Sequence, residues 1–470
     1  MSATAASLLR RSLVGALVAA GAVAFSAGHA TADVTCTRVA APNGSDSGAG
    51  TADDPYASVQ QLVDSLQPGD TGCLRAGTYS EDVTINSGGS GDGSRVTLTS
   101  YPGERATVDG RLYVTDAANY VTVENLNLNG RDAPTCASGT TCERLPSPTV
   151  NGDYVIFSGD DVTNDHVAIC FDLGNASYGR AEHDVIENNR IHDCGRIPSS
   201  NHDHGIYLTA ADDTTVTGNV IYNNADRGIQ LYPDAQRTTI EGNIIDGNGE
   251  GVIFSGAGGT VSSNNIVEHN IISNARLRYN VESYFPDGVG SGNVVRDNCL
   301  YGGAEGDVVP GQLGFSATNN LVADPDYADA AAGDYSVGND RCAQVLAGKS
   351  PPTNPIADSG SQQGGAGAGT SAAGGLPVQL SHVFLRHGRH HRHWRLQLRG
   401  HFSTRGLHTS IVEVRHGGHW DRLAVRHLGR RFRISVDTRT VGFHGATATV
   451  VRIVAPSVGR SRAVLARLIG

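Results

Sequence analysis

The chain has 470 residues with 60 glycines, only 6% aromatic residues and a formal net charge of -11 at pH 7. This length exceeds what one ordinary compact core accommodates, so several units or one elongated repeat are expected. Abundant glycine favours turns and thin, regular layers, which argues against a bulky helical core.

The N-terminus has the pattern of a secretory signal peptide. Two arginines precede an apolar run over residues 13–25, and small residues follow it up to Ala32. This pattern predicts a signal peptide over residues 1–32, with cleavage after Ala32 or Ala30. No later apolar run is long enough to span a bilayer, so we expect a secreted, extracellular protein.

All eight cysteines lie between Cys36 and Cys342, and an even number in an exported chain favours disulfide bonds. Metal binding through thiolates is the alternative, but the chain has no CxxC motif. Neighbours along the sequence predict the pairs Cys36–Cys73, Cys136–Cys142, Cys170–Cys194 and Cys299–Cys342.

Charge divides the mature chain into two parts. Residues 33–376 hold 44 acidic and 17 basic residues, whereas residues 377–470 hold 17 arginines, 11 histidines and 3 acidic residues. A stretch rich in glycine, serine and alanine separates them, as is typical of a flexible linker. We therefore predict one domain over 33–350, a linker over 351–376 and a second domain over 377–470.

A motif of glycine, an apolar residue, any residue and a second apolar residue recurs every 23 residues. The copies are Gly205–Leu208, Gly228–Leu231 and Gly251–Phe254. Strand-length pieces separated by turn residues, without helical periodicity, indicate short strands joined by tight turns. A repeat of this length predicts one coil of a parallel β-solenoid, with about ten coils over residues 95–345 and the three glycines stacked.

A second motif, an apolar-x-x-Asn-x-apolar unit, follows the first in each repeat. Its asparagines are Asn189, Asn219, Asn243, Asn270 and Asn298. Side chains at the same place in successive coils can bond their neighbours above and below. We interpret these asparagines as a structural ladder inside the solenoid.

The N-terminal part of the mature chain carries a further, more specific set of motifs. They are Asn43–Gly48, Pro55–Tyr56, Pro68–Thr71 and Leu74–Tyr79. With the repeat, they resemble the secreted members of the right-handed parallel β-helix (pectate-lyase-like) family, which includes polysaccharide lyases, epimerases and glycosidases. The resemblance covers about residues 36–345. It implies an all-β fold, a right-handed parallel β-helix. Val59, Leu62, Val63 and Leu66 have helical spacing and predict a short helix that caps its N-terminal end.

Residues 377–470 alternate apolar and polar side chains, for example Leu396 and Leu398, or Phe432, Ile434 and Val436. This alternation predicts a small C-terminal antiparallel β-sandwich. Its many arginines and histidines suit an anion-binding surface for acidic glycans or cell-wall polymers. A nucleic-acid partner is not expected, since no binding-fold signature is present.

The 23-residue period places residues of successive coils above one another. The resulting columns are His204, Arg227 and Glu250; Tyr207, Gln230 and Ile253; and Thr209, Tyr232 and Ser255. Polar and aromatic groups are thus expected along one face, as a groove for an extended polysaccharide requires. The first column faces solvent only if the chain bends at Gly205, and an exposed Arg227–Glu250 ion pair then follows.

The family resemblance points to a uronate-containing glycan. Removal of the proton α to a carboxylate needs a base, a cation that neutralises the carboxylate and a proton donor. We expect His204 to be the base, Arg227 the cation and Tyr207 the donor. Epimerase-like members use an Asp and His cluster similar to Asp203–His204, although their Asp-Pro-His motif is absent here. The predicted catalytic residues are His202, Asp203, His204, Tyr207 and Arg227, and the predicted substrate-binding residues are His166, Gln230, Tyr232, Glu250 and Glu282.

One observation narrows the chemistry: the single lysine, Lys349, lies near the linker. Family members that use a lysine base, or the Arg-x-Lys signature of polygalacturonase-like hydrolases, are therefore poor guides. A hydrogen-bonded turn with solvated histidines is the alternative for residues 202–204. Metal binding also stays open, with Zn²⁺ at His202 and His204 or Ca²⁺ at the acidic residues Asp160, Asp161 and Asp165.

The sequence thus favours a secreted, monomeric lyase or epimerase that acts on an acidic polysaccharide or cell-wall glycan. The competing class is a non-catalytic cell-surface or glycan-binding protein that uses the same groove without turnover. A binder needs only aromatic rings and hydrogen-bond donors, whereas an enzyme also needs a base within reach of its substrate.

Overall fold

The computed structural model describes residues 34–140, residues 142–346 and eight strands between residues 378 and 469. The predicted signal peptide and linker lie outside the described residues. Residues 38–322 wind as a right-handed parallel β-helix, in which three short strands make up most coils. No helix within the described ranges is long and apolar enough to cross a membrane.

Three long sheets of parallel strands run along the solenoid. Sheet A has the strands Arg38–Ala40, Thr71–Leu74, Val96–Ser100, Val121–Glu124, Ile156–Ser158, Val185–Glu187, Thr215–Thr217, Thr239–Glu241, Ile266–Glu268, Asn293–Arg296 and Phe315–Thr318. Sheet B has the strands Gly77–Ser80, Ala106–Asp109, Asn127–Asn129, Asp161–Thr163, Arg190–His192, Val220–Tyr222, Ile244–Asp246, Ile271–Ser273, Cys299–Tyr301 and Leu321–Val322. Sheet C has the strands Val83–Ile85, Leu112–Val114, Thr149–Val150, Phe171–Leu173, Ile206–Asp212, Arg227–Gln236, Glu250–Ala257, Tyr279–Tyr284 and Gly306–Val308, with Ala181–Glu182 and Thr260–Val261 at its side.

The predicted register of the repeat is confirmed. Ile206 pairs with Ile229, and Ile229 pairs with Val252, so the three repeat motifs lie on successive coils. Nine sheet A strands lie between residues 96 and 318, in keeping with about ten coils. A β-carbon added at Gly205 would lie 2.8 Å from both Asn224 and the Gly228 carbonyl oxygen. Glycine is therefore required there by close packing, since the φ angle of Gly205 is not positive.

The interior is filled by one apolar cluster and by polar ladders. The predicted asparagine ladder is confirmed, and each amide bonds the next through contacts of 2.9–3.1 Å. It begins at Asp160, whose backbone amide donates to Asn189, and ends at Asn320. Backbone groups at this corner of each coil are therefore satisfied inside the solenoid.

The ends and one side of the solenoid are closed by short elements. Helix Val59–Ser65 buries Val59, Leu62 and Val63, which confirms the predicted N-terminal cap, and Ser58 caps the helix. The segment after the last coil packs an apolar cluster against sheet B. It contains the strands Tyr327–Asp329 and Asp334–Val337 and the helix Asp340–Val345. All four predicted disulfides are present, and none of the described cysteines is free.

A charged cluster lies at the corner between sheets B and C. His192 bonds Asp193 through Nδ1 at 2.9 Å and Asp161 through Nε2 at 3.1 Å, and its ring stacks on Tyr222. Burial alone would lower the pKa of His192, but the two carboxylates outweigh burial and raise it to about 9. This imidazolium therefore ties the coil of Asp161 to the coil of Asp193.

The eight C-terminal strands form one sheet that is antiparallel except for one parallel pair. They are Val378–His387, Trp394–Phe402, His408–His416, His419–Leu428, Arg431–Asp437, Ala448–Ala455, Gly459–Arg460 and Val464–Ile469. The parallel pair joins the first and last of these strands. The predicted antiparallel pairing is thus confirmed. The predicted β-sandwich would have two facing sheets, whereas these eight strands are hydrogen-bonded as one sheet.

We predict that Asn243→Ala lowers the free energy of unfolding by about 3 kcal/mol or more. Asn243 is fully buried and exchanges hydrogen bonds with Asn219 and Asn270, and each buried group left unpaired costs about 1–3 kcal/mol. Urea unfolding measures the change. Asn320→Ala, at the partly exposed end of the same ladder, is the matched control and should cost clearly less. Equal losses would contradict the ladder as a buried network.

We also predict that the stabilisation by His192 depends on pH. Its pKa rises from 6.5 to about 9 on folding, so its contribution is complete below 6.5 and disappears as the pH rises through about 9. The loss of unfolding free energy in His192→Gln should therefore be larger at about pH 6 than at about pH 10. His202→Gln, at an exposed histidine outside this cluster, is the matched control, and its free energy of unfolding should stay close to the wild-type value. A difference between wild type and His192→Gln that stays constant across this range would rule out the charged cluster.

Candidate functional site

The outer face of sheet C carries the polar and aromatic residues singled out in the sequence. Its three central strands, Ile206–Asp212, Arg227–Gln236 and Glu250–Ala257, are 7, 10 and 8 residues long, whereas the facing strands of sheets A and B have three. Tyr207 pairs with Gln230, and Arg227 pairs with Glu250. The longer strands thus present a broad rigid surface, with these two columns in the predicted register. The register changes between Leu208 and Ala210, where the third predicted column begins.

His204 lies on this outer face but is covered. The edge of its ring contacts the Tyr207 ring, with the ring centroids 5.2 Å apart. A β-carbon added at Gly205 would point into the interior, as the buried side chain of Ile206 does. The inward and outward alternation is therefore interrupted at Gly205, as predicted. His204 is nevertheless only 2% exposed, and its Nδ1 has no hydrogen-bond partner. Burial first, and then the charge of Arg227, lower the pKa of His204 well below its usual value, so the ring is neutral.

The expectation of an exposed Arg227–Glu250 ion pair is wrong. Both residues are 4% exposed, with Arg227 Nε 2.6 Å from Glu250 Oε2. Arg278 Nε lies 3.1 Å from the other oxygen of Glu250 and also pairs with Glu282. Burial, and then the neighbouring Glu250, raise the pKa of Glu282 to about 8, whereas the charges of Arg278 and Arg227 oppose this shift.

A loop over residues 195–203 explains this burial. Arg227 donates to the carbonyl oxygen of Asn201 at 3.0 Å, so the loop lies over the start of the strand. Asp203 holds the base of the loop, because it is 1% exposed and accepts from the Arg196 Nε at 2.5 Å. This loop lies outside the 23-residue repeat, so its position over the first column could not be predicted from the period.

The histidine and aspartate triplet is therefore divided among three environments. His202 is exposed, Asp203 is bound to Arg196, and His204 is buried beside Tyr207. His166 lies apart from this face. Its Nδ1 contacts the Gly195 carbonyl at 3.0 Å and its Nε2 lies 3.3 Å from Asp193, so it belongs to the corner cluster of His192.

The second and third columns remain accessible in part. The rings of Tyr207 and Tyr232 are parallel, with centroids 6.3 Å apart, and Gln230 Oε1 has no hydrogen-bond partner although it is buried. Burial raises the pKa of Tyr207, so its hydroxyl stays protonated. Glu282 lies three coils beyond Tyr207 in the same column, about 14 Å away at the usual strand spacing.

Sequence reasoning missed the coils on the other side of Tyr207. Asp172 pairs with Tyr207 across the sheet and accepts from Thr209 Oγ1 at 2.8 Å. Burial raises its pKa to about 6. Thr149 and Tyr113 continue the column to earlier coils. These strands are two or three residues long. The spacings Tyr113–Thr149 and Asp172–Tyr207 are 36 and 35 residues, so the 23-residue repeat does not extend to them.

The acidic residues considered for Ca²⁺ have other partners. Asp160 is buried at the start of the asparagine ladder, Asp161 bonds His192, and Asp165 pairs with Arg131. Within residues 34–140 and 142–346, no three histidine, cysteine, aspartate or glutamate side chains are arranged to hold a metal ion. His202 is exposed and His204 is buried.

Known proteins resemble this chain in sequence and in fold. Residues 150–322 match a family model described as a right handed beta helix region. The pectate lyase PEL9 of Emericella nidulans is 26% identical over 333 residues, which cover 61% of this chain and 80% of the relative. The crystal structure of pectate lyase Pel9A has a TM-score of 0.48 at 15% identity, over 73% of this chain and 95% of that one. A rhamnogalacturonan lyase has a TM-score of 0.42 at 15% identity, over 65% and 95%.

The family match covers the coils that carry the central strands of sheet C. It also includes the asparagine ladder from Asp160 to Asn320. Residues 150–322 thus match the family model, and the three stacked parallel sheets show the fold of a right-handed β-helix over residues 38–322.

Proposed function

We propose that this chain is a secreted enzyme that acts on a uronate-containing polysaccharide by lyase or epimerase chemistry on the outer face of sheet C. One observation carries the proposal. A neutral buried histidine with an unpartnered Nδ1, His204, contacts a tyrosine that stays protonated, Tyr207. A base and an acid whose pKa values are pushed apart on one rigid surface are typical of a catalytic site.

In this reaction His204 accepts the proton from the carbon α to the uronate carboxylate. In the lyase reaction, the electron pair of the broken C–H bond forms a C=C bond as the glycosidic C–O bond breaks, and Tyr207 gives its proton to the leaving oxygen. In the epimerase reaction no C–O bond breaks, and the carbanion takes a proton from water on the opposite face of the ring, because Tyr207 contacts His204 and lies on the same side of the sugar. The stacked rings of Tyr207 and Tyr232 offer an apolar surface for the sugar.

The relatives support the choice of substrate class. The sequence relative is named a pectate lyase, which acts on an acidic polysaccharide. The four disulfides are typical of extracellular proteins. We further propose that the arginine-rich domain over residues 377–470 binds anionic glycans or cell-wall polymers and that the linker over 351–376 tethers it to the solenoid.

The closed loop favours a second candidate function, glycan binding without turnover. With His204 at 2% exposure, a substrate reaches its Nδ1 only if residues 195–203 move away from Arg227. A binder needs no such movement, because Gln230, Tyr207 and Tyr232 already lie on the face. The two functions therefore differ in whether His204 is needed.

The first test is a panel of uronate polysaccharides incubated with the purified full chain. Lyase action gives unsaturated chain ends, epimerase action gives inverted residues without cleavage, and hydrolase action gives new reducing ends. His204→Gln should lower kcat by about 100-fold or more, as for loss of a general base, while His202→Gln should change it little. The reverse order would assign the base to His202, and binding without any product would support the second candidate.

Tyr207→Phe should lower kcat by about 100-fold or more with little change in folding stability, because the variant keeps the ring and loses only the proton donor. Tyr232→Phe is the matched control. Its ring stacks in the same pair but does not contact His204, so only a small change is expected. Steady-state kinetics on the active polysaccharide separates the two, and similar losses in both variants would exclude Tyr207 as the donor.

A further inference from the structure

Arg111 lies on the outer face of sheet C, on an earlier coil than the proposed catalytic pair. It precedes Leu112, whose side chain is buried in the core, and its guanidinium stacks over the ring of Tyr113 at 4.5 Å. One terminal nitrogen donates to Thr149 Oγ1 at 3.1 Å, on the next coil. The side chain is thus held in one position and directed along the column toward Tyr207.

The other guanidinium groups on this face are neutralised by carboxylates. Arg227 and Arg278 pair with Glu250, and Arg180 pairs with Asp234 and Asp212. Arg111 differs, because no acidic side chain of the described residues makes an ion pair with its guanidinium, which instead donates to the Thr149 hydroxyl. Its buried Nε, like that of Arg227, has no hydrogen-bond partner. The nearby carboxylate of Asp82 bonds the backbone amide of Arg111. Burial accordingly lowers the pKa of Arg111, although a guanidinium remains protonated.

We propose that Arg111 binds the carboxylate of a second uronate residue of the same glycan chain, as a specificity-determining contact outside the reacting centre. The inference rests on the proposed function, since it names an acidic polymer as the ligand. A planar guanidinium suits a carboxylate better than any other cationic side chain does. Asp172 and Asp82 act on this guanidinium only through space, so an anionic ligand would be the first carboxylate to pair with it directly.

The register of the sheet sets the direction of the glycan. Tyr113, Thr149, Asp172 and Tyr207 occupy the same place on four successive coils. The guanidinium reaches Thr149, so it lies about two strand spacings, or about 10 Å, from Tyr207. A polymer laid along the solenoid axis would place one sugar over Tyr207 and Tyr232 and a later carboxylate at Arg111. Tyr113, beneath the guanidinium, keeps the cation from turning away from the face.

This geometry also assigns the roles of the two arginines. The carboxylate clamp expected at Arg227 is already occupied by Glu250 and by the carbonyl of Asn201. Arg111 has no competing acid to displace. The acid that lies between Arg111 and Tyr207 in the column is Asp172, whose pKa burial raises to about 6, which weakens its repulsion of an anionic ligand in mildly acidic solution.

The test compares Arg111→Gln with the wild type in binding of an oligouronate and of a neutral oligosaccharide of equal length, by calorimetry on the full chain. The wild type should prefer the oligouronate by about 10-fold or more, since a charge-assisted hydrogen bond is worth about 1.5–3 kcal/mol. Arg111→Gln should lose this preference and keep its affinity for the neutral ligand. With turnover, KM for the polyuronate should rise while kcat changes little.

Arg296→Gln is the matched control, because Arg296 is half-exposed on sheet A and pairs with Glu268. Arg296→Gln should leave both affinities unchanged. Unfolding curves that match between the wild type and Arg111→Gln would show that the Arg111 variant is folded. If the wild type turns over uronate and Arg111→Gln binds it equally well, the inference at Arg111 fails and the proposed function stands. If the wild type neither binds nor converts any oligouronate, both fail.

Discussion

Hydrogen bonding between successive coils determines where every side chain of the solenoid lies. Each strand pairs in parallel with the strand one coil away, so residues at the same place in the repeat are held at one strand spacing. Tyr207 therefore lies beside Gln230, and Arg227 lies beside Glu250, whatever their side chains prefer. An outward column on sheet C is a straight row of groups on a rigid frame, which suits a polymer with its own repeat.

The polar interior depends on the same register. An asparagine can bond both its neighbours only when the coils above and below place an amide at the same corner, as they do from Asn189 to Asn298. The ladder and the apolar cluster thus support one alignment, because a shift of one residue would break both. Asp160 fills the first position of this row, and burial raises the pKa of its carboxyl well above the usual value, which brings it close to the neutral amides that follow.

The periodic part of the sequence was sufficient to predict the fold, and the irregular parts were not. The spacing of Gly205, Gly228 and Gly251 fixed the register of sheet C, and the asparagines fixed one corner of each coil. The burial of His204 could not be read from this pattern, because a loop outside the repeat covers it. Arg111 was missed for a similar reason, since the coils of Tyr113 and Thr149 are 36 residues apart and break the period.

The position of the central strands along the solenoid has a consequence for how the molecule loses structure. In an array where each coil contacts only its neighbours, local unfolding starts at the ends and advances one coil at a time. The strands from Ile206 to Ala257 have four coils of sheet C before them and two after them. Amide hydrogens of these central strands should be among the last to exchange with solvent. The outer coils can therefore unfold locally while the outer face of sheet C keeps its shape.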